Sequence, residues 1–175
     1  MRWNELDEEI CSLARTMSVI GDRWMLLILR ECFTKVRRFE DFQSRLGISR
    51  GVLAERLKKL TDNFILTKVA YQQDPLRHEY RLTPKGLKLY PIMMSLVHWG
   101  DEHMAGKAGR PIVHVHDACG SEFDPVMTCS ECGEILDPRH VHVYPGPGAP
   151  RPHNLPFMPE SVTAPPPGTR KRKHA

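Results

Sequence analysis

Four residues in the last third of the chain have the types and spacing of a metal centre: His116-x-x-Cys119-Gly120 and Cys129-x-x-Cys132-Gly133. In each, two ligands set two residues apart can grip one ion while the glycine lets the backbone turn tightly beneath them. Together they offer one imidazole and three thiolates, a set that suits tetrahedral Zn²⁺ in a closed structural site. A segment too short for its own core also needs such a staple to fold. His114, His140 or His142 can replace His116 as fourth ligand, and the plain alternative is a group of reduced thiols. With no open coordination position in view, catalytic zinc is not expected. The five cysteines are an odd number, and the clustering of Cys119, Cys129 and Cys132 fits metal binding better than a disulfide framework. Cys11 stands where a helix begins, a setting that lowers a thiol's pKa and makes it a possible redox sensor; the alternative is a half-buried structural cysteine. Cys32, on an apolar helix, reads as core.

A second kind of chemistry lies between Phe39 and Asn63. Phe39, Phe42 and Leu46 repeat at helical spacing, Gly47 stops the pattern, and Ser49 can cap a second helix striped by Leu53, Leu57 and Leu60. Arg50, Gly51, Glu55, Arg56, Lys58 and Lys59 then face outward on a helix small enough for the major groove of DNA. Arg50 can pair with guanine and Glu55 can accept from cytosine, whereas Arg56 and Lys59 suit the phosphate backbone. Arg56 has an internal alternative, an ion pair with Glu55, Glu40 or Asp62.

Charge supports a polyanion-binding surface. Residues 1–34 hold 4 Lys/Arg and 6 Asp/Glu, residues 35–88 hold 13 and 6, and residues 89–175 hold 8 and 9. The local balances of −2, +7 and −1 place all of the net +4 around the helix pair. The N-terminus has no apolar run long enough for a signal peptide or a membrane span, so a cytoplasmic protein is expected.

The remaining elements must hold that helix. Cys11 to Ile20 suits a short helix broken by Gly21. Asp22 caps a stronger one running to about Phe33, with Trp24, Leu27 and Ile28 as its core face. Lys35, Arg37 and Arg38 form a basic connector. Strands are predicted over 67–71 and 78–82, with His78, Tyr80 and Leu82 alternating against Glu79 and Arg81. The loop between them, Gln72 to Arg77, is expected to place Gln72, Gln73 and Arg77 on phosphate or in the minor groove, flanked by Lys68 and Arg81. Thr83 and Pro84 open a last helix to about Trp99, kinked at Pro91 and apolar over more of its circumference than one small domain can cover. A second subunit is its natural partner. This makes a mainly α fold with a small β-hairpin wing: a winged helix-turn-helix DNA-binding and dimerisation domain over 1–105. A small zinc-ribbon-like module follows over 111–144. From residue 145 onward 9 of 31 residues are proline, which suits a disordered tail over 145–175.

Cys11, with Val19-Ile20-Gly21-Asp22-Arg23-Trp24, Leu26-Leu27-Ile28-Leu29-Arg30, Arg38-Phe39, Leu53, Arg56-Leu57, Leu60 and Arg77-His78-Glu79-Tyr80-Arg81-Leu82-Thr83-x-x-Gly86, resembles the HxlR family of bacterial winged-helix regulators, the match running from Cys11 to about Trp99. The resemblance implies a homodimeric transcription regulator whose first and last helices make the interface. Some members use a cysteine near Cys11 to sense oxidants or electrophiles. The Cys-x-x-Cys-Gly segment looks like an extension carried by a subset of the family.

The expected function is a DNA-binding regulator, read as a repressor, that acts as a homodimer on a double-stranded operator and answers to a small molecule or to thiol oxidation. Its DNA-contacting residues would be Arg38, Ser49, Arg50, Gly51, Glu55, Arg56, Lys59, Gln72 and Arg77. Two rivals exist: a thiol- or metal-dependent enzyme built on Cys119, Cys129 and Cys132, and a zinc-ribbon protein adaptor. No general base is paired with a nucleophile and no Gly-rich phosphate loop is present in the sequence, so no enzyme is expected.

Overall fold

Helix boundaries fall where the capping residues sit. The computed structural model describes residues 9–144 and 146–148. In it, α1 (Ser12–Ile20) is followed after Gly21 by α2 (Arg23–Phe33), whose N-cap Asp22 accepts from the Trp24 N–H at 2.9 Å. α3 (Phe39–Leu46) stops at Gly47, where φ is +60°, a left-handed turn that glycine makes without a Cβ penalty. Ser49 then caps α4 (Arg50–Asp62) by accepting from the Val52 N–H at 3.4 Å.

The hairpin is longer than the sequence suggests. β1 (Leu66–Gln73) and β2 (Leu76–Leu82) pair antiparallel, Leu66 opposite Leu82 and Gln73 opposite Leu76, with a bulge between Ala70 and Gln72. Gln72, Gln73, Leu76 and Arg77 therefore lie on the strands and not in a loop. Their backbone groups find ladder partners, and Pro75, which lacks an N–H, is confined to the turn. The basic connector also joins this sheet: Arg38 bridges to Glu79, and the Tyr80 N–H donates to the Arg37 carbonyl at 2.8 Å. That extra edge buries Glu79, and the Arg81 guanidinium meets its carboxylate.

The predicted kinked helix is two helices. Thr83 caps α5 (Pro84–Leu87), its hydroxyl accepting from the Gly86 N–H at 3.0 Å, and the chain turns before α6 (Tyr90–Met104). Pro91 sits in the first turn of α6, where a missing N–H costs nothing, so it starts a helix and does not bend one. Gly86 packs against the Ile65 carbonyl so closely that any Cβ would collide with it.

One core organises these elements. Leu53, Leu57 and Leu60 of α4 are fully buried with Phe42 of α3, Ile48 of the turn and Ile65 and Leu66 at the root of the wing. From α2 come Met25, Ile28, Leu29 and Cys32, the i, i+3, i+4, i+7 stripe. Of the face expected there, only Ile28 is buried, Trp24 and Leu27 being half-buried. Each fully buried leucine contributes roughly 1.5–3 kcal/mol, enough to fix which side of α4 faces away from the core.

The chain divides into two compact units, Met1–Val126 and Met127–Ala175. The first also contains a two-residue hairpin of β3 (Val115–His116) and β4 (Ser121–Glu122). In the second, Thr128 bridges Ile135 and Pro138–His140 forms a 3₁₀ turn. The segment expected as one module, 111–144, thus spans both units. The expected tail, apart from 146–148, lies outside the described residues. Among the described residues no helix is long and apolar enough to cross a membrane.

Candidate nucleic-acid interface

With one face of α4 committed to the core, the other carries Arg50, Gly51, Ala54, Glu55 and Lys58, all exposed. Arg50 lies in the first turn with its guanidinium over the Phe39 ring, 5.1 Å from the centroid, so its reach is set from α3. Gly51 has open space where a Cβ would stand, which keeps the helix head low. Ser49 spends its hydroxyl on the cap. Ala54, one turn beyond Arg50 at i+4, was not singled out from the sequence, although the spacing would have found it.

Two cations expected on phosphate are engaged inside the unit. Arg56 reaches Asp22, Nε to Oδ1 at 3.2 Å and Nη2 to Oδ2 at 3.4 Å, and its Nη1 meets Glu55 Oε1 at 2.6 Å. Of the internal partners foreseen, Glu55 is present; Asp62 is taken by Lys58 at 2.6 Å. Lys59 donates to the Ser18 carbonyl at 2.7 Å, pinning α4 to the end of α1. Burial works against the Asp22 charge, but the Arg56 guanidinium and then the Trp24 N–H outweigh it and hold the carboxyl below its usual range. The Arg56 guanidinium is held above its ordinary value, first by that carboxylate. One aspartate therefore both starts α2 and anchors α4, a link across 34 residues that local periodicity cannot show.

The wing offers a second basic edge. Arg38 stacks on the Tyr71 ring at 4.6 Å and Lys68 on Tyr80 at 5.7 Å. Gln72 donates to the Asp74 carbonyl at 2.9 Å across the hairpin tip, and Arg77 on β2 is exposed.

The cysteines fall into three settings. Cys11 is exposed at the N-cap of α1. Cys32 is buried, and desolvation, then the Glu31 carboxylate, push its thiol up to about 12, so it stays a neutral core group. The third setting is the two Cys/His turns. In the first unit Cys119 Sγ stands 3.5 Å from His116 Nδ1, and the Gly120 N–H donates to the His116 carbonyl at 2.8 Å. In the second the Gly133 N–H donates to the Cys129 carbonyl at 2.9 Å, and Cys129 is held below the ordinary thiol range by the N–H groups of Cys132 and Glu131. Gly120 and Gly133 have φ of +68° and +79°, which explains the glycine after each pair. Among the described residues no three His, Cys, Asp or Glu side chains form a group that could hold a metal ion.

Comparison with known proteins agrees with the winged-helix architecture. Residues 19–108 match the family described as HxlR-like helix-turn-helix. Uncharacterised HTH-type transcriptional regulators of Mycobacterium tuberculosis and Mycobacterium bovis are 44% identical over 137 residues, covering 78% of this chain and 87% of theirs. The crystal structure of the transcription-factor candidate PA1607 superposes with a TM-score of 0.72 at 29% identity, covering 79% of this chain and 96% of that one. The redox regulator HypR in its reduced form does so with a TM-score of 0.50 at 28% identity, over 53% of this chain and 92% of its own. The helix-turn-helix geometry, the family match and the regulators among its relatives converge: the chain belongs to the HxlR-like helix-turn-helix family and is a DNA-binding transcriptional regulator.

Proposed function

We propose that the protein regulates transcription from the cytoplasm as a homodimeric repressor that sets two copies of α4 into successive major grooves of one operator. The carrying observation is a run of apolar side chains left in water. Ile92, Leu96 and Trp99, at i, i+4 and i+7 of α6, are 42%, 50% and 58% exposed, and Leu13 of α1 is 66% exposed. A second copy laid against these two helices would cover them. Within each copy Arg50 and Glu55 read base edges, with Ser49 and Gly51 allowing close approach. Arg38, Gln72 and Arg77 lie along the backbone or minor groove. Arg56 and Lys59, already engaged inside the unit, serve by orienting α4.

Two further assignments complete the reading. Cys11, exposed at a helix start, acts as a thiol sensor; HypR, a structural relative, is known as a redox regulator in reduced and oxidised forms. His116 and Cys119 in the first unit, and Cys129 and Cys132 in the second, each offer two ligands to structural zinc, the support being that each pair is already shaped as a ligand-bearing turn. Recovering the genomic fragments bound by the full chain tests the dimer. Two half-sites with centres about 10 bp apart and two chains per fragment are expected, and a single half-site holding one chain would contradict it. Repeated after mild oxidation, the assay should change for the parent and not for Cys11→Ser.

A further inference from the structure

A cavity of about 420 Å³ opens in the first unit between the C-terminal half of α2, the middle of α6 and the segment 111–114. That volume lies toward the small end of small-molecule sites, which run from roughly 300 to 1,000 Å³. Its walls are chiefly apolar and adaptable: Met93 and Met94, both buried, and the Phe33 and Tyr90 rings, whose centroids are 5.2 Å apart at 59°. Thioethers and tilted rings of this kind grip flat aromatic ligands.

The polar lining sets the ligand's charge. Arg30 reaches the cavity but is committed to Glu31, Nη2 to Oε1 at 2.6 Å, so its charge is offset from within. Asp101 and His114 add one carboxylate and one imidazole. The same carboxylate acts on Arg110, so it too has a cationic neighbour. Charges of both signs nearly cancel around an apolar chamber, which disfavours an ion and favours a neutral molecule with one hydrogen-bond donor for Asp101 or His114.

We propose that this cavity binds a neutral aromatic effector of one or two fused rings carrying a hydroxyl or ring N–H donor, and that occupancy changes DNA affinity. The proposal rests on reading the chain as a sequence-specific DNA-binding regulator. The route to DNA is short. The cavity wall includes α2, whose N-cap Asp22 anchors Arg56 of α4, and Leu96 of α6, which also lies on the proposed subunit face. A ligand between α2 and α6 bears on both the recognition helix and the way two copies meet.

Gly100 provides the test. It lines the cavity, and a Cβ built there meets nothing within 4 Å, so Gly100→Leu fills the chamber from a helix that accepts leucine more readily than glycine. Full-length protein with ¹³C-methyl methionine is titrated with 2-naphthol. The expected result is saturable movement of the Met93 and Met94 methyl signals, lost in Gly100→Leu and kept in Gly100→Ala. Affinity for a recovered genomic fragment should shift by about fivefold or more on saturation. Absence of methyl shifts, shifts indifferent to Gly100→Leu, or binding without any effect on DNA affinity would each overturn the proposal. Ligand-free protein that lacks sequence preference would instead remove the regulator reading, so the two failures are distinguishable.

Discussion

Two regions of this chain carry chemistry and are held in place by different means. α4 is set by packing: Leu53, Leu57 and Leu60 are each 0% exposed, and Asp22 and the Ser18 carbonyl tie its polar flank. The Cys/His turns are set chiefly by backbone hydrogen bonds, and beside the second the apolar Met127 and Ile135 are 69% and 73% exposed. A buried stripe gives a helix one orientation and leaves its far face for recognition. A turn with no core gives two ligands their spacing and leaves stability to what binds them.

The largest effect that would break this contrast is removal of metal. Purified protein should contain about one zinc per chain, and chelation should erase the dispersed amide signals of residues 127–140 while those of 23–82 persist. A metal-free protein that keeps both sets would show that the second region is self-supporting.

Truncating the buried stripe comes next. Leu57→Ala should cost about 2–5 kcal/mol in urea unfolding, whereas Ile135→Ala should stay within ~0.5 kcal/mol. Similar costs at the two positions would erase the distinction.

A smaller effect sharpens it. Asp22→Asn keeps a capping side chain but removes the charge that holds Arg56, and with 39% of the Asp22 side chain exposed the loss should be only ~0.2–1 kcal/mol. Because the folded carboxyl titrates below its ordinary 3.8, its contribution is present above that value and fades as pH falls through the folded pKa. Parent and variant should therefore differ in denaturation midpoint at neutral pH and converge in strong acid; a gap that persists in acid would assign the effect to something other than the ion pair.

What the sequence revealed, and what it hid, follow one physical divide. The α3–α4 pair was legible because its signals are local: a 3.6-residue apolar repeat, Gly47 at a left-handed stop and Ser49 at a cap. The glycines after each Cys/His pair were legible for the same reason. Hidden were effects of distant segments. Glu79 is buried because Arg38 adds an edge to the wing, and the hydrogen bond from Lys59 to the Ser18 carbonyl joins segments 41 residues apart. Pro91 reads locally as a kink in one long helix, and the turn between α5 and α6 makes it the start of a second. Among the candidate DNA contacts, Arg50 stood out by position, whereas its support on Phe39 required the turn geometry.

The central claim is that the exposed head of α4 reads DNA bases. It is tested most directly by measuring Arg50→Ala and Glu55→Ala against a panel of single-base variants of a recovered fragment. The account predicts that each substitution relaxes preference at one base pair by ~1–3 kcal/mol while binding elsewhere in the site is unchanged. An equal loss on every sequence would show that these residues touch only phosphate.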